Sequence, residues 1–523
     1  MIIALALAGC AVGPNYEREA APAPTEYKEL KGWKLANPRD NVDRGDWWKV
    51  YRDPALDTLL PQVEISNQTV AASAAAYEEA KAVIREAQAG LFPTATAAYG
   101  VTRTRTGALA GTTGGSAVGV GLGTRYTKQY SAPINGAWDL DVWGKVRRLI
   151  ESDTAAAQAN AADLDNAKLS AQAQLATAYF NLRAADSLSA LLERTVVQDK
   201  ETLRVTRDKV NAGCCSGPGL ATVSPADLAL ASAQAENAEA QALNVGVQRA
   251  QFEHAIAILI GRPPSELTVA RRGLGGGIPK IPVAIPSTLL ERRPDIAASE
   301  RTMQQENALI GVAEAAYFPD VSLSSVLQYV GPIPSPFSAA RSIASIGATG
   351  TQTLFDGGLI SAQVDAARAA YWQSVANYRQ AVLTAFQQVE DELAAVRILS
   401  RQLVLQQQAV KDAREAVRVD MNQYRAGIVD LTVVVTAENT LLADEESELT
   451  VRQDLYLASV SLIEALGGGW DTTLVPDQFQ LQKDFSLAPK LESPTPLAVE
   501  LMPKVPTPSN PPTALPAPLT PSQ

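Results

Sequence analysis

Few of the 523 residues are equipped for chemistry. A single histidine, His254, leaves little for general-base work or metal ligation. With no nucleophile motif and no clustered acid–base set beside it, a hydrolase is set aside and no catalytic residue is expected. Cys214 and Cys215 are adjacent, and two readings stay open: a strained vicinal bridge or a pair of thiols. No His, Asp or Glu lies close enough in sequence to make them a metal site. Trp143-Gly144-Lys145 lacks both the glycine five residues upstream and the following Ser or Thr that a phosphate loop needs. The remaining reactive position is Cys10. It closes Leu7-Ala8-Gly9-Cys10 behind an apolar start, the arrangement at which a lipoprotein signal is cleaved and the thiol acylated. Residues 1–9 then read as the remnant of that signal, and the missing basic n-region points to a start further upstream. Apart from a covalent lipid on Cys10, no cofactor and no metal are expected.

The elements that would carry this chemistry are unusual. The chain is 46% apolar but only 6% aromatic, and rich in alanine, which suits long, closely packed helices. A net charge of −11 gives no reason to expect nucleic acid. No run of 18 apolar residues is present, so no transmembrane helix is expected. Instead the chain is written twice. "AKAVIREAQAGLFPTATAAYG" and "ENALIGVAEAAYFPDVSLSS" each run as a helix into a Phe-Pro pair, at Phe92-Pro93 and Phe318-Pro319, and leave as alternating residues. Each then passes a Gly-, Pro- or Ser-rich loop and a second strand into a proline-free rod. The rods run from Gly144 to Gly213 and from Gly358 to Gly427, and both pairs of glycines are 214 residues apart. A rod of that length spans roughly 100 Å. In the first, Leu164, Ala171, Leu175, Ala178, Leu182, Ala185, Leu192, Val196 and Leu203 recur at coiled-coil spacing. Ala-Gly ends each rod, and the chain turns back into a return helix.

Each repeat offers only two strands of about ten residues, a length that suits a bilayer crossing. The faces alternate, with Ala95, Ala97, Tyr99 and Val101 against Thr94, Thr96 and Thr102, and Val321, Leu323, Leu327 and Tyr329 against Ser322, Ser324 and Gln328. A small soluble sheet with one wet face reads the same way. Four strands do not close a barrel, and open edges are not tolerated in lipid. In a membrane, three copies would share twelve strands. The fold class is then mainly α with a small transmembrane β part. An internally duplicated protomer would form, as a trimer, a 12-stranded β-barrel continuous with a long helical barrel. Tyr99, Tyr126, Tyr130 and Tyr329 are candidates for an interfacial belt. The domain reading is residues 10–50 as an acylated linker, 51–275 as the first repeat (strands about 94–137, tip about 213–224), 276–475 as the second (strands about 320–355, tip about 427–436), and 476–523 as a proline-rich, disordered tail.

At this point the text is recognisable. "CAVGPNY", "WWKVYRDPALDTLL", "DLDVWGKVRR", "GVQRAQFEHAIAILIGRPP", "IPSTLLERRPDIAASERTMQQENALIGVAEAAYFPDVSLS" and "YRAGIVDLTVVVTAENTLL" resemble the TolC-like outer-membrane efflux factors, in particular the NodT-type lipoprotein branch. The resemblance covers roughly residues 10 to 475. It implies a homotrimer in the outer membrane, lipid-anchored through Cys10 and extending into the periplasm. It also implies docking to a periplasmic adaptor (membrane fusion) protein and an inner-membrane pump, often of the proton-driven RND type. Such a protein is a passive, gated exit duct for drugs or other small toxic solutes, not an enzyme. The alternative is a soluble periplasmic coiled-coil adaptor or scaffold, which explains the heptads but neither the lipidation box nor the paired strands.

The resemblance places the periplasmic closure at the two tips, near Gly213, Cys214 and Cys215 and from Gly427 onwards. Many members carry two acidic residues in the second tip. The aligned positions here are Val433 and Thr436, and Asp430 is the nearest acid. Two readings of Val433, Val434 and Val435 stay open: an apolar constriction, or valines that pack the helix interface. "CCSGPG" at the first tip is an insertion relative to the second repeat.

Overall fold

The computed structural model describes residues 11–20, 27–29, 46–106, 125–212, 223–275, 292–332, 342–470, 472–483 and 485. A 3-10 turn at Trp47–Tyr51 leads into α1 (Pro54–Ser66) and α2 (Gln68–Ala89). Pro54 occupies the first helical turn, and the Asp53 carboxylate accepts the Ala55 N–H at 2.9 Å. Asn67 ends α1 and caps α2, its side-chain oxygen accepting from Thr69 N and Val70 N. The rod α3 (Lys145–Asn211) and return helix α4 (Pro225–Leu259) follow the strands. The second half brings α5 (Pro294–Ala315), α6 (Leu359–Arg425), α7 (Leu431–Ala465) and a short α8 (Gln478–Gln482). The upstream helices α2 and α5 are both 22 residues, the rods both 67, and the return helices both 35.

Each rod pairs with its own return helix, α5 packs against both rods, and α3 also meets α7. Along α3 the seam is filled as its spacing predicts, with Ala171, Leu175, Ala178, Leu182, Ala185 and Leu192 buried. The main core lies at mid-rod, where Leu175, Tyr179 and Leu182 meet Leu56, Leu60 and Trp47 from the first half and Tyr378, Val382 and Val389 from α6. Burying each large aliphatic side chain there contributes about 2 kcal/mol. The return helices end in matching joints. Gly261 (φ 66°) and Gly467 (φ 89°) stop them in the left-handed conformation. A Cβ would stand 2.0 Å from the Ser66 carbonyl oxygen at Gly261 and 1.8 Å from that of Arg292 at Gly467. Backbone therefore packs on backbone at both joints, and no larger residue fits.

The strands form one antiparallel sheet in the order β1-β3-β4-β5, with β2 also paired to β3. They are β1 (Thr94–Ala97), β2 (Gly100–Thr106), β3 (Arg125–Leu140), β4 (Asp320–Gly331) and β5 (Ser342–Thr351). The sequence predicts two strands per repeat, whereas the first is split at Ala98-Tyr99. The cause is Pro133, which faces Ala98 across the ladder. It accepts the Ala98 N–H at 3.0 Å but has no N–H to return. Register continues unbroken through the gap, from Ala97↔Ile134 to Gly100↔Ser131. The register places Tyr99, Val101, Tyr130, Ile134, Trp138, Leu323, Leu327 and Ile346 on one face, and Thr102, Gln129, Asn135, Ser322, Gln328 and Thr349 on the other. Tyr99, Val101, Ile134, Leu327 and Ile346 of the apolar face are exposed, and so are Thr102, Gln129, Asn135 and Thr349 of the polar one. Tyr329, by contrast, is buried. The β1/β2 line and β5 are left as open edges within the chain.

Candidate functional site

The described residues nearest the sequence-predicted site positions fall at two places: the level where strands become helices, and the tip of the second hairpin. At the first level, a tryptophan holds Phe318-Pro319, and another holds Leu91, the residue before Phe92; the Phe92 ring stacks on Phe485 at 5.3 Å. Trp143 stacks on Phe318 at 4.7 Å and donates its indole N–H to the Pro319 carbonyl at 2.8 Å. Trp138 donates to the Leu91 carbonyl at 3.0 Å. Rods α3 and α6 begin at Gly144 and Gly358, both in the left-handed conformation, which leaves no side chain at the cap. An aspartate upstream takes that role in each rod. Asp141 accepts from Val146 N and Arg147 N, and Asp356 from Gly358 N and Ile360 N. Those backbone donors hold the Asp356 carboxyl below its ordinary pKa.

Residues 11–20 are clamped at this same level. Val12 N–H donates to the Trp143 carbonyl at 3.0 Å. The Arg148 guanidinium donates to the carbonyls of Val12 and Gly13 and to the Asn15 side chain, at 3.1, 3.0 and 3.0 Å, and pairs with Glu151. Gly13, at φ 98°, lies so close to α5 that a Cβ would stand 2.4 Å from the Gly311 Cα. The strap then follows α5 and α6, through Asn307 to the Pro14 carbonyl, Arg18 to Glu300, and Arg379 to Glu19. Cys10 lies outside the described residues, but the next residue, Ala11, sits against Gly144, whose Cβ would be 2.7 Å from the Ala11 Cα. Replacing Arg148 by alanine removes a buried clamp and is expected to cost about 2 kcal/mol. Limited proteolysis would show it as faster cleavage within residues 11–20, with the helical core still protected.

At the second tip, Gly427 (φ 77°) ends α6 in a Schellman turn, with its N–H on the Tyr424 carbonyl and the Ile428 N–H on that of Gln423, both at 2.9 Å. Asp430 stands at the N-cap of α7, exposed, without a side-chain cap bond. The three valines separate. Val434 and Val435 are buried with Tyr424, Leu431 and Ala231, so they pack the helix interface and do not form a constriction with Val433. Val433 is 42% exposed and, with Thr436, lines an open groove of about 450 Å³ between α6 and α7, with Ala413, Ala416, Asp420 and Thr440. Gly213, Cys214 and Cys215 lie outside the described residues. On the α4 side, Ser224 and Asp227 form a capping box that starts the return helix.

Above the tips the core turns polar. Asp199, Thr202 and Thr206 of α3 are buried, as is Glu438 of α7. Glu438 accepts from Thr202 at 2.9 Å and from Gln198 at 3.2 Å. Thr206 shares a hydrogen bond with the Tyr424 hydroxyl at 2.9 Å, and the Lys209 ammonium lies over the Tyr424 ring at 3.9 Å. Asp199 is 1% exposed, and neither carboxylate oxygen has a partner among the described residues; the same holds for Glu438 Oε2. Burial first, and Glu438 second, push the Asp199 carboxyl up to about 7, and burial likewise raises Glu438. Sequence reasoning passed over this pair, though a signal was present. Asp199 interrupts the seam between Val196 and Leu203 with a charge where an apolar residue is due.

A family profile for outer membrane efflux proteins matches residues 59–262 and 285–468. This chain belongs to that family. The efflux protein is 28% identical over 473 residues to the probable efflux pump outer membrane protein TtgC of Pseudomonas putida, covering 90% of this chain and 94% of that one. It is 27% identical over 472 residues to the cation efflux system protein CusC of Escherichia coli, covering 90% and 97%. Among solved structures, the outer-membrane channel OprN superposes with a TM-score of 0.78 at 28% identity, covering 88% of the efflux protein and all of that chain. The protein is accordingly an outer-membrane component of an efflux system and a duct, not an enzyme. The soluble scaffold reading finds no support among these relatives.

Proposed function

We propose that three copies of this efflux protein close a 12-stranded barrel in the outer membrane, continuous with a tube of their paired helices. The observation that carries this is the sheet. It has four strand lines, one face rich in apolar side chains, one polar face and two open edges, and in lipid neighbouring chains would have to satisfy those edges. The clamp on residues 11–20 supports a lipid at Cys10, because it delivers the chain to the strand–helix level, where the inner leaflet's headgroups would lie. The two hairpin tips then face a periplasmic adaptor and, behind it, an inner-membrane transporter of the RND type. Val433 and Thr436, on the exposed side of the second tip, line the narrow end of the tube. Small amphipathic solutes are the cargo; four Met and one His supply few soft or imidazole ligands for a metal route. Expressed in a strain lacking its own outer-membrane efflux ducts, together with its cognate pump and adaptor, the protein is expected to restore resistance to small toxic solutes. Unchanged sensitivity with all three proteins present in the envelope would contradict the proposal.

A further inference from the structure

We propose that Arg103, Arg105 and Lys128 form a site for the phosphate groups of an outer-leaflet glycolipid, on the lipid-facing surface at the barrel's outward end. The orientation rests on the duct reading above; the cluster itself is read from register. Arg103 and Arg105 lie on β2 on the same face as Tyr99 and Val101, alternating with Thr102 and Thr104. Lys128 stands opposite Arg103, and Tyr126 opposite Arg105. The guanidinium carbons lie 4.6 Å and 6.0 Å from the centre of the Tyr126 ring, so one tyrosine supports both arginines.

Height and charge select the occupant. Tilted strands rise about 2.5 Å per residue along the membrane normal, so positions nine and eleven residues beyond Thr94 stand roughly 22 and 27 Å above the strand–helix level. The apolar band of such a barrel is about 25 Å tall, so the cations emerge where it ends. In a chain of net charge −11, the stretch Thr94–Trp138 contains Arg103, Arg105, Arg125 and Lys128 and no Asp or Glu. Val321–Phe355 contains no acid either. Counted from the Phe-Pro pairs and the rod glycines, the second repeat has Tyr329, Gly331 and Ser342 at the equivalent positions. The strand architecture therefore does not require the cluster. Guanidinium forks suit phosphate, and Tyr99, Val101 and Ile134 below them suit acyl chains. A ligand with an anionic sugar-phosphate head and apolar tails matches both halves.

The test uses the full-length protein in detergent, titrated with bis-phosphorylated lipid A, dephosphorylated lipid A or inorganic phosphate, and read by native mass spectrometry. Bis-phosphorylated lipid A is expected to bind the parent chain, more weakly as salt rises, with dephosphorylated lipid A binding at least tenfold more weakly. The triple variant Arg103→Ala, Arg105→Ala, Lys128→Ala should lose at least tenfold in affinity, and Arg103→Lys with Arg105→Lys an intermediate amount. Equal binding of dephosphorylated lipid A, undiminished binding by the triple variant, or displacement by millimolar phosphate would overturn the site. Conductance recorded on the same preparation separates the two ideas. A conducting trimer indifferent to lipid phosphates defeats the site alone, whereas a monomer without conductance defeats the duct.

Discussion

The variant Asp199→Asn is expected to unfold several degrees hotter than the parent chain at pH 7.5 and to lose the part of the pH dependence between pH 4 and 7 that Asp199 supplies. The folded protein holds the Asp199 proton more tightly than the unfolded chain does, with a pKa of about 7 against an ordinary 3.8. Below about pH 4 both states are protonated and the buried group costs little. As pH rises from 4 to 7 the unfolded state releases its proton first, so stability falls, and above 7 the penalty is complete. At about 1.4 kcal/mol per unit, the shift corresponds to about 4 kcal/mol per chain. An amide removes the charge and can donate to Glu438 Oε2, which lacks a partner among the described residues. Thermal melts at pH 5 and 7.5 check this: the parent should lose more stability between pH 5 and 7.5 than the variant does. A parent whose stability is level or rises from pH 5 to 7.5, with Asp199→Asn destabilised at both, would refute the assignment. Because Glu438 joins α7 to α3 through Thr202 and Gln198 just above the tips, ionising Asp199 is expected to weaken that contact.

If the proposed trimer narrows at Val433, Val433→Asp should raise cation preference in planar bilayers, shifting the cation-to-anion permeability ratio about tenfold. In the proposed trimer, three carboxylates around one axis would concentrate cations in a narrow, poorly screened passage. The exposed groove position makes the substitution mild for stability, unlike Val434→Asp, which would bury a charge against Tyr424 and Leu431. The shift should vanish at molar salt. An unchanged reversal potential at low salt would remove Val433 from the conducting path.

Much of this architecture is legible in the sequence because the punctuation is local. The absence of proline between Gly144 and Gly213 and between Gly358 and Gly427 fixes the rods, and the Phe-Pro pairs fix where helices end. What escaped depends on residues far apart. Pro133 is visible, but its effect on Ala98 requires knowing which residue it faces across a hairpin. The fate of Val434 and Val435 depends on Tyr424 and Ala231, from two other helices. Asp199 shows in the sequence as a charge in the α3 seam, but that it stands beside Glu438 from the other repeat depends on the fold. Nothing local in the sequence sets Arg148 apart from other charges at helix starts, because its role depends on residues 12–15 lying across it.

The measurement that bears most directly on the central claim is the mass of the complex released from lipid nanodiscs, recorded together with single-channel conductance. Three chains per particle and a conducting pore are expected. A monomeric particle in lipid that does not conduct would contradict that claim.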